Sequence, residues 1–111
     1  MTNSSRLEEQ FYWHVLAMGL PEPVRQYRIP ESKRRFVYDF AWPDKRLLVE
    51  VQGGVWVANT GHTSGRGITR DCAKVNEAVL QGWRVLLFTA DMVTSGEADE
   101  MLEGVLNGGQ G

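Results

Sequence analysis

Two apolar runs joined by a Pro-Asp-Lys turn constrain this chain more than any other feature. Arg34-Arg35-Phe36-Val37-Tyr38-Asp39-Phe40-Ala41-Trp42 and Leu47-Leu48-Val49-Glu50-Val51-Gln52-Gly53-Gly54 are rich in aromatic and β-branched residues. Between them Pro43-Asp44-Lys45-Arg46 breaks the pattern, so the stretch reads as a β-hairpin. Symmetric closure of the turn sets Trp42 against Leu47, and the same register sets Asp39 against Glu50. Directly opposed residues have Cβ atoms roughly 4.5–5.5 Å apart. Side chains alternate along a strand, so Gln52 shares the face of Glu50, while Val49 and Val51 point the other way into a core. Two carboxylates and an amide therefore converge on one side of a sheet. Opposed carboxylates repel at neutral pH unless a proton or cation lies between them. A hard divalent ion with oxygen ligands, such as Mg²⁺, suits that position. Spacing alone leaves two readings level: a cation site, or a solvent-facing pair on a half-exposed hairpin.

The flanking segments supply helices. Ser5-Arg6-Leu7-Glu8 is a capping box, followed by Leu7, Phe11, Val15 and Met18 at helical spacing; Gly19 and Pro21 end a helix expected over about residues 6–18. Glu8 has a structural task there as the return acceptor of the box, and a metal or water-binding role is its second reading. Three prolines mark residues 21–33 as a connector with a short strand over 24–29. Residues 53–67 hold five glycines and carry His62 and Arg66. A long Gly-rich loop inside a small domain is either functional or disordered. His62 reads first as a solvated loop histidine, and alternatively as a phosphate-facing donor or proton carrier.

Beyond the loop, Thr69 can cap a helix over 69–81 with Cys72, Val75, Ala78 and Val79 as its apolar stripe and Gly82 as its terminator. Arg70, Lys74, Glu77 and Gln81 share the opposite, polar face, and Arg70 with Lys74 forms its cationic end. Trp83-Arg84-Val85-Leu86-Leu87-Phe88 is a nearly continuous apolar run, the pattern of a buried strand over 84–88. Strand 47–52, helix 69–81 and strand 84–88 compose a βαβ unit, so the last strand should lie parallel to the first. Thr94 to Glu97 opens a second capping box and a short acidic helix to about residue 106, with 107–111 a frayed tail. The fold class is α/β: a helix, an antiparallel hairpin and βαβ, giving a small mixed sheet with helices on its faces.

Length and composition bound the function. The 111 residues fit a single domain with a real core. One cysteine, Cys72, excludes an internal disulfide and any multi-cysteine zinc site, and suits a reducing cytoplasm. The polar N-terminus lacks a signal pattern, and no apolar run reaches membrane-spanning length. Net charge is −2, but unevenly placed. Residues 91–111 carry five acids and no base, leaving twelve bases against nine acids in 1–90. Residues 25–46 hold seven bases and three acids, Arg34 and Arg35 among the bases. A basic surface beside a carboxylate site is what phosphodiester chemistry needs. An ordinary solvated surface with an acidic tail accounts for the charge equally well.

Asp39, followed eleven residues later by Glu50-Val51-Gln52, resembles the D…(D/E)-x-K signature of PD-(D/E)XK nucleases, which have the restriction-endonuclease-like fold. The later segment, Arg70-Asp71 through Gly82-Trp83-Arg84-Val85-Leu86, is similar to the very-short-patch-repair endonuclease branch and its small phage and bacterial relatives. Together the segments span residues 34–90. Two departures stand out: Gln52 replaces the usual lysine, and one cysteine cannot build the zinc site of the repair branch, so mismatch-specific repair does not carry over.

The resemblance implies a Mg²⁺-dependent DNA endonuclease, with Mn²⁺ as a substitute ion, in the cytoplasm of a bacterial host. Asp39, Glu50 and the Val51 carbonyl would ligate the metal, Gln52 would orient a water, and Glu8 is a secondary acid. Arg34, Arg35, Arg66, Arg70 and Lys74 would meet DNA, Lys74 also standing in for the missing cationic charge, with His62 as a loop donor. With no separate DNA-reading domain expected, specificity would come from DNA structure, a homodimer or a partner protein. The rival readings are a catalytically silent DNA-binding module on the same fold and a small partner-binding protein.

Overall fold

The computed structural model of the chain describes residues 6–52 and 65–108, with side chains from 69 to 107 in the second span. Helix α1 (Arg6–Ala17) leads through a connector to strand β1 (Val24–Tyr27). Strands β2 (Tyr38–Trp42) and β3 (Leu47–Gln52) form the hairpin, joined by a 3₁₀ turn over Pro43–Lys45. Helix α2 (Gly65–Leu80) crosses to strand β4 (Arg84–Thr89), and helices α3 (Ala90–Ser95) and α4 (Glu97–Gly108) follow. The sheet order is β1-β2-β3-β4. The first two pairings are antiparallel and β3 pairs with β4 in parallel, as a βαβ unit requires.

Trp42 lies opposite Leu47, Ala41 opposite Leu48 and Phe40 opposite Val49, the expected register. The turn closes because Pro43 presets φ at its first position and Arg46 takes a left-handed φ of 52°, letting its N–H reach the Pro43 carbonyl at 3.1 Å. Strand β3 is central. Leu47, Val49 and Val51 face a large core with Phe11 and Val15 of α1, Phe40, Trp42, Phe88, Val93 and Leu102. Leu48 faces a second core with Ile29, Phe36, Tyr38, Ala41, Ala78 and Trp83. Helices α1, α3 and α4 thus cover one face and α2 the other. The Phe11 ring joins helix to sheet, 5.1 Å from Phe40 and 5.7 Å from Phe88 between centroids.

Several boundaries differ from expectation for identifiable reasons. Ser5 of the first capping box lies outside the described residues. Strand β1 stops at Tyr27, two residues short, just after Gln26 adopts a φ of 52°. Helix α2 begins at Gly65, so Thr69 lies inside it rather than capping it. A first helical turn leaves its N–H groups unpaired in any case, and so tolerates Gly65 and Gly67. The helix ends as expected at Gly82, whose φ of 88° lets Trp83 N–H reach the Ala78 carbonyl at 2.9 Å.

Helix α2 is also turned relative to its apolar pattern. Cys72 is exposed and Val79 is half-exposed, while Lys74, Glu77 and Gln81 face the protein. Glu77 accepts from Ser32 Oγ at 2.6 Å, and the Gln81 carbonyl accepts from Arg46 at 3.2 Å. Only Ala78 of the expected stripe is fully buried. Strand β4 is an edge, not a strand buried on both faces: Phe88 is covered but Leu87 is not. The expected acidic helix is α4, which runs on to Gly108, and a short helix not expected from the sequence, α3, precedes it. Thr89 caps α3, accepting from Met92 N at 3.2 Å, and Gly96 at φ 91° breaks it from α4. Thr94 lies within α3, bonding back to the Ala90 carbonyl at 3.1 Å, and caps nothing. Among the described residues, no helix is long and apolar enough to cross a membrane.

Candidate active site

The hairpin ladder runs from Trp42↔Leu47 to Phe40↔Val49, and one step further the two acids replace it. The backbone N–H of Asp39 donates to Glu50 Oε2 at 2.8 Å. In return, the N–H of Val51 donates to Asp39 Oδ2 at 2.8 Å. Each carboxylate therefore satisfies a backbone donor on the opposite strand. A side chain in the ladder's place is longer than a direct backbone contact, so the strands are held together and held open at once. The opposition of Asp39 and Glu50 expected from the sequence is present, and Glu50 lies on the α2 face of the sheet.

Helix α2 delivers a cation to this pair. Lys74 Nζ lies 2.8 Å from Glu50 Oε1 and donates to the Val37 carbonyl at 2.7 Å. It also sits 5.0 Å from the centre of the Tyr38 ring. Tyr38 O–H donates to the backbone carbonyl of Lys74 at 2.8 Å, fixing that turn of the helix. Burial, then the Glu50 charge, pushes the Tyr38 hydroxyl up to about 12, so it keeps its proton and acts as a donor. Gln52 lies two residues past Glu50, next to Thr89 of β4.

Electrostatics here are anionic despite Lys74. Asp39 is pushed up to about 7, first by burial and then by the charge of Glu50, with Glu8 adding to it. The Val51 N–H bond and Lys74 oppose the shift without cancelling it. The shift is first a cost of burial and second of the Glu50 charge, and a cation beside the carboxylate would offset both. Asp39 Oδ1 accepts no hydrogen bond from the described residues, which leaves a hard oxygen donor open. Two adjacent carboxylates, one with an open oxygen, fit a hard divalent ion completed by a backbone carbonyl and water. Among the described residues, no three Asp, Glu, His or Cys side chains form a ready ligand cluster, so the fit rests on the pair.

The remaining expected residues divide. Glu8 accepts from Gln26 Nε2 at 3.4 Å and reaches Asp39 through its charge. Arg34 and Arg70 bring their guanidinium groups to 4.9 Å and 5.6 Å from the centre of one ring, Phe36. Neither has a carboxylate partner among the described residues. Arg35 is exposed at a φ of 58°. His62 lies outside the described residues; Arg66 lies in the first turns of α2, with its side chain outside them.

Beside the pair, between α2 and strands β3 and β4, opens a cavity of about 550 Å³. Glu50, Gln52 and Lys74 line it together with Val75, Val85 and Leu87, and Asp71 and Asn76 of α2 also border it. Sequence reasoning overlooked Tyr38 and Asp71. Tyr38 was signalled by its place beside Asp39 in a strand, and Asp71 by lying one turn before Lys74.

No protein-family model and no curated protein matches this sequence. Among solved structures, it is similar to the catalytic domain of the homing endonuclease I-Bth0305I, with a TM-score of 0.67 at 17% identity. The match covers 92% of this chain and 94% of that domain. At that identity the likeness is one of fold.

Proposed function

We propose that this chain is a metal-dependent DNA endonuclease of the PD-(D/E)XK type. The observation that carries the reading is the Asp39–Glu50 pair: two partly buried, mutually repelling carboxylates at the end of the paired hairpin ladder. Its support from fold is the likeness to an endonuclease catalytic domain.

Asp39, Glu50 and the Val51 carbonyl would hold Mg²⁺, or Mn²⁺ in its place. When bound, the ion supplies a more acidic water and stabilises charge on the phosphate. The chain's own residues do the rest. Gln52 shares the face of Glu50, and its amide can accept from a water and orient it; being neutral, it offers no positive charge. Lys74, beside the pair on α2, supplies a cation that can stabilise charge developing on the phosphate. Arg34 and Arg70, on the Phe36 ring, and the exposed Arg35 supply positive charge to grip the flanking phosphates.

Cleavage of supercoiled plasmid, branched DNA and linear duplex, in Mg²⁺, Mn²⁺ and EDTA, tests this. Wild type should cut only with metal. Asp39→Ala and Glu50→Ala should each lower the rate by about 10²-fold or more, the scale of losing a group that stabilises transition-state charge. A second reading, a catalytically silent DNA-binding module, is favoured by one observation: both Glu50 oxygens already have donors. Salt-sensitive DNA binding without cutting in any metal would establish it. Neither cutting nor binding would point to a small partner-binding protein instead.

A further inference from the structure

Lys74 is the one cation among the described residues in direct contact with the carboxylate pair, and its surroundings are built to hold it. The side chain of Lys74 is 16% exposed and that of Glu50 12%. Around the ammonium stand Glu50 Oε1, the Val37 carbonyl and the face of Tyr38. The Tyr38 hydroxyl ties down the turn of α2 from which the side chain springs. The other Glu50 oxygen is taken by the Asp39 N–H. Glu50 is thus fully satisfied before any ion arrives, whereas Asp39 keeps Oδ1 open.

An ion shared by Asp39 and Glu50 must draw on a Glu50 oxygen. Oε2 is turned into the hairpin backbone, and Oε1 already faces a positive charge. Each oxygen has a second lone pair, so space does not forbid joint occupancy. Like charges on one oxygen in partly buried surroundings repel strongly, however, so the two cations compete.

We propose that Lys74 is an intramolecular stand-in for the divalent ion, neutralising Glu50 in the metal-free chain and leaving Oε1 when metal loads. The inference rests on the metal-dependent reading of the site. Its logic is that of any partly buried acid: without a partner, Glu50 would be a destabilising unpaired charge at the end of the hairpin. Lys74 keeps that end folded while the site waits, and the exchange lowers the affinity for metal. The displaced ammonium remains on the α2 face, one turn from Arg70, where a phosphate approaching the site would meet it.

Calorimetric titration of Mn²⁺ and of Mg²⁺ into the metal-free chain, without DNA, tests the exchange. Lys74→Met keeps an unbranched side chain one atom shorter and removes its charge; it should bind metal about tenfold tighter than wild type, a difference of about 1.4 kcal/mol. Lys74→Arg should stay near wild type, and Asp39→Asn should lose binding. Equal or weaker binding by Lys74→Met, with Asp39→Asn still defective, overturns the inference and leaves the metal site standing. No binding by any variant overturns the metal-dependent reading as well.

A measurement on wild type does not depend on the variant folding. The chain has only three lysines, Lys33, Lys45 and Lys74. ¹⁵N-detected lysine ammonium spectra should show a Lys74 signal sheltered from exchange in the metal-free chain and lost on saturation with Mg²⁺. Persistence of that signal at saturation overturns the exchange.

Discussion

Asp39 concentrates the chemistry of this molecule in one carboxyl group. In the folded, metal-free chain it keeps its proton up to about pH 7, against an ordinary value of 3.8, because burial and Glu50 both disfavour its charge. The sign of the linkage follows. Stability from this group is fully present below the unfolded pKa of 3.8 and is lost as pH rises through about 7. Asp39→Asn retains an oxygen for the Val51 N–H and does not titrate. The difference in Tm, wild type minus Asn variant, should therefore decline from pH 4 to pH 7 and level off above, in thermal melts with EDTA. A difference that stays flat across that window would mean that the carboxyl is already ionised there. The opposition of Asp39 to Glu50 was legible in the sequence because register is a matter of counting along two strands from a turn. Lys74 was legible as a helix cation that could stand in for the missing lysine, but not as the partner of Glu50. Its contact with Glu50 depends on how α2 is rotated, and that is decided by tertiary partners.

At the level of elements, α2 shows where pattern reading fails. Its apolar residues Cys72, Val75, Ala78 and Val79 form a plausible stripe, yet the protein receives Lys74 and Glu77 instead, whose side chains pair with Glu50 and Ser32, and the Gln81 amide bonds back to Glu77. Polar pairing at a site outweighed the periodicity that locates an ordinary helix face. Termini divide in the same way. Gly82 was readable because a left-handed residue ends a helix by backbone geometry alone. Thr94 misled because it lies inside α3, where its hydroxyl donates back to the Ala90 and Asp91 carbonyls, and Ser95 Oγ accepts from Glu97 N–H instead. Two substitutions measure these ends. Thr89→Ala should cost about 1 kcal/mol through the lost cap. Gly82→Ala should cost about 1–2 kcal/mol, the penalty of a left-handed L-residue. An added Cβ at Gly82 meets nothing within 4 Å, so that cost is purely conformational. Both should lower the urea midpoint with the slope unchanged.

For the whole molecule, the division of labour between the faces of the sheet was foreseeable, since β3 alternates Leu47, Val49 and Val51 against Leu48, Glu50 and Gln52. One face is given to a hydrophobic core beneath α1, α3 and α4; the other carries Glu50, a second core beneath α2, and the cavity. The arginines on Phe36 extend that face, and their contribution should be electrostatic and independent of sequence. Arg34→Ala with Arg70→Ala should weaken DNA binding at low salt and flatten the plot of log K against log salt by about 0.9 per arginine that meets a phosphate. An unchanged slope would remove them from the DNA surface. The reciprocal bonds between the two acids and the opposing backbone have a consequence for evolutionary comparison. Asp39 and Glu50 serve the hairpin whether or not any bond is ever cut, so a lineage that lost catalysis would still be selected to keep them. In a related chain, retention of both acids reports on folding first. The position of Gln52, whose side chain bonds to none of the described residues, carries no such structural tie, so under the proposed function it is the better witness to whether chemistry has been preserved.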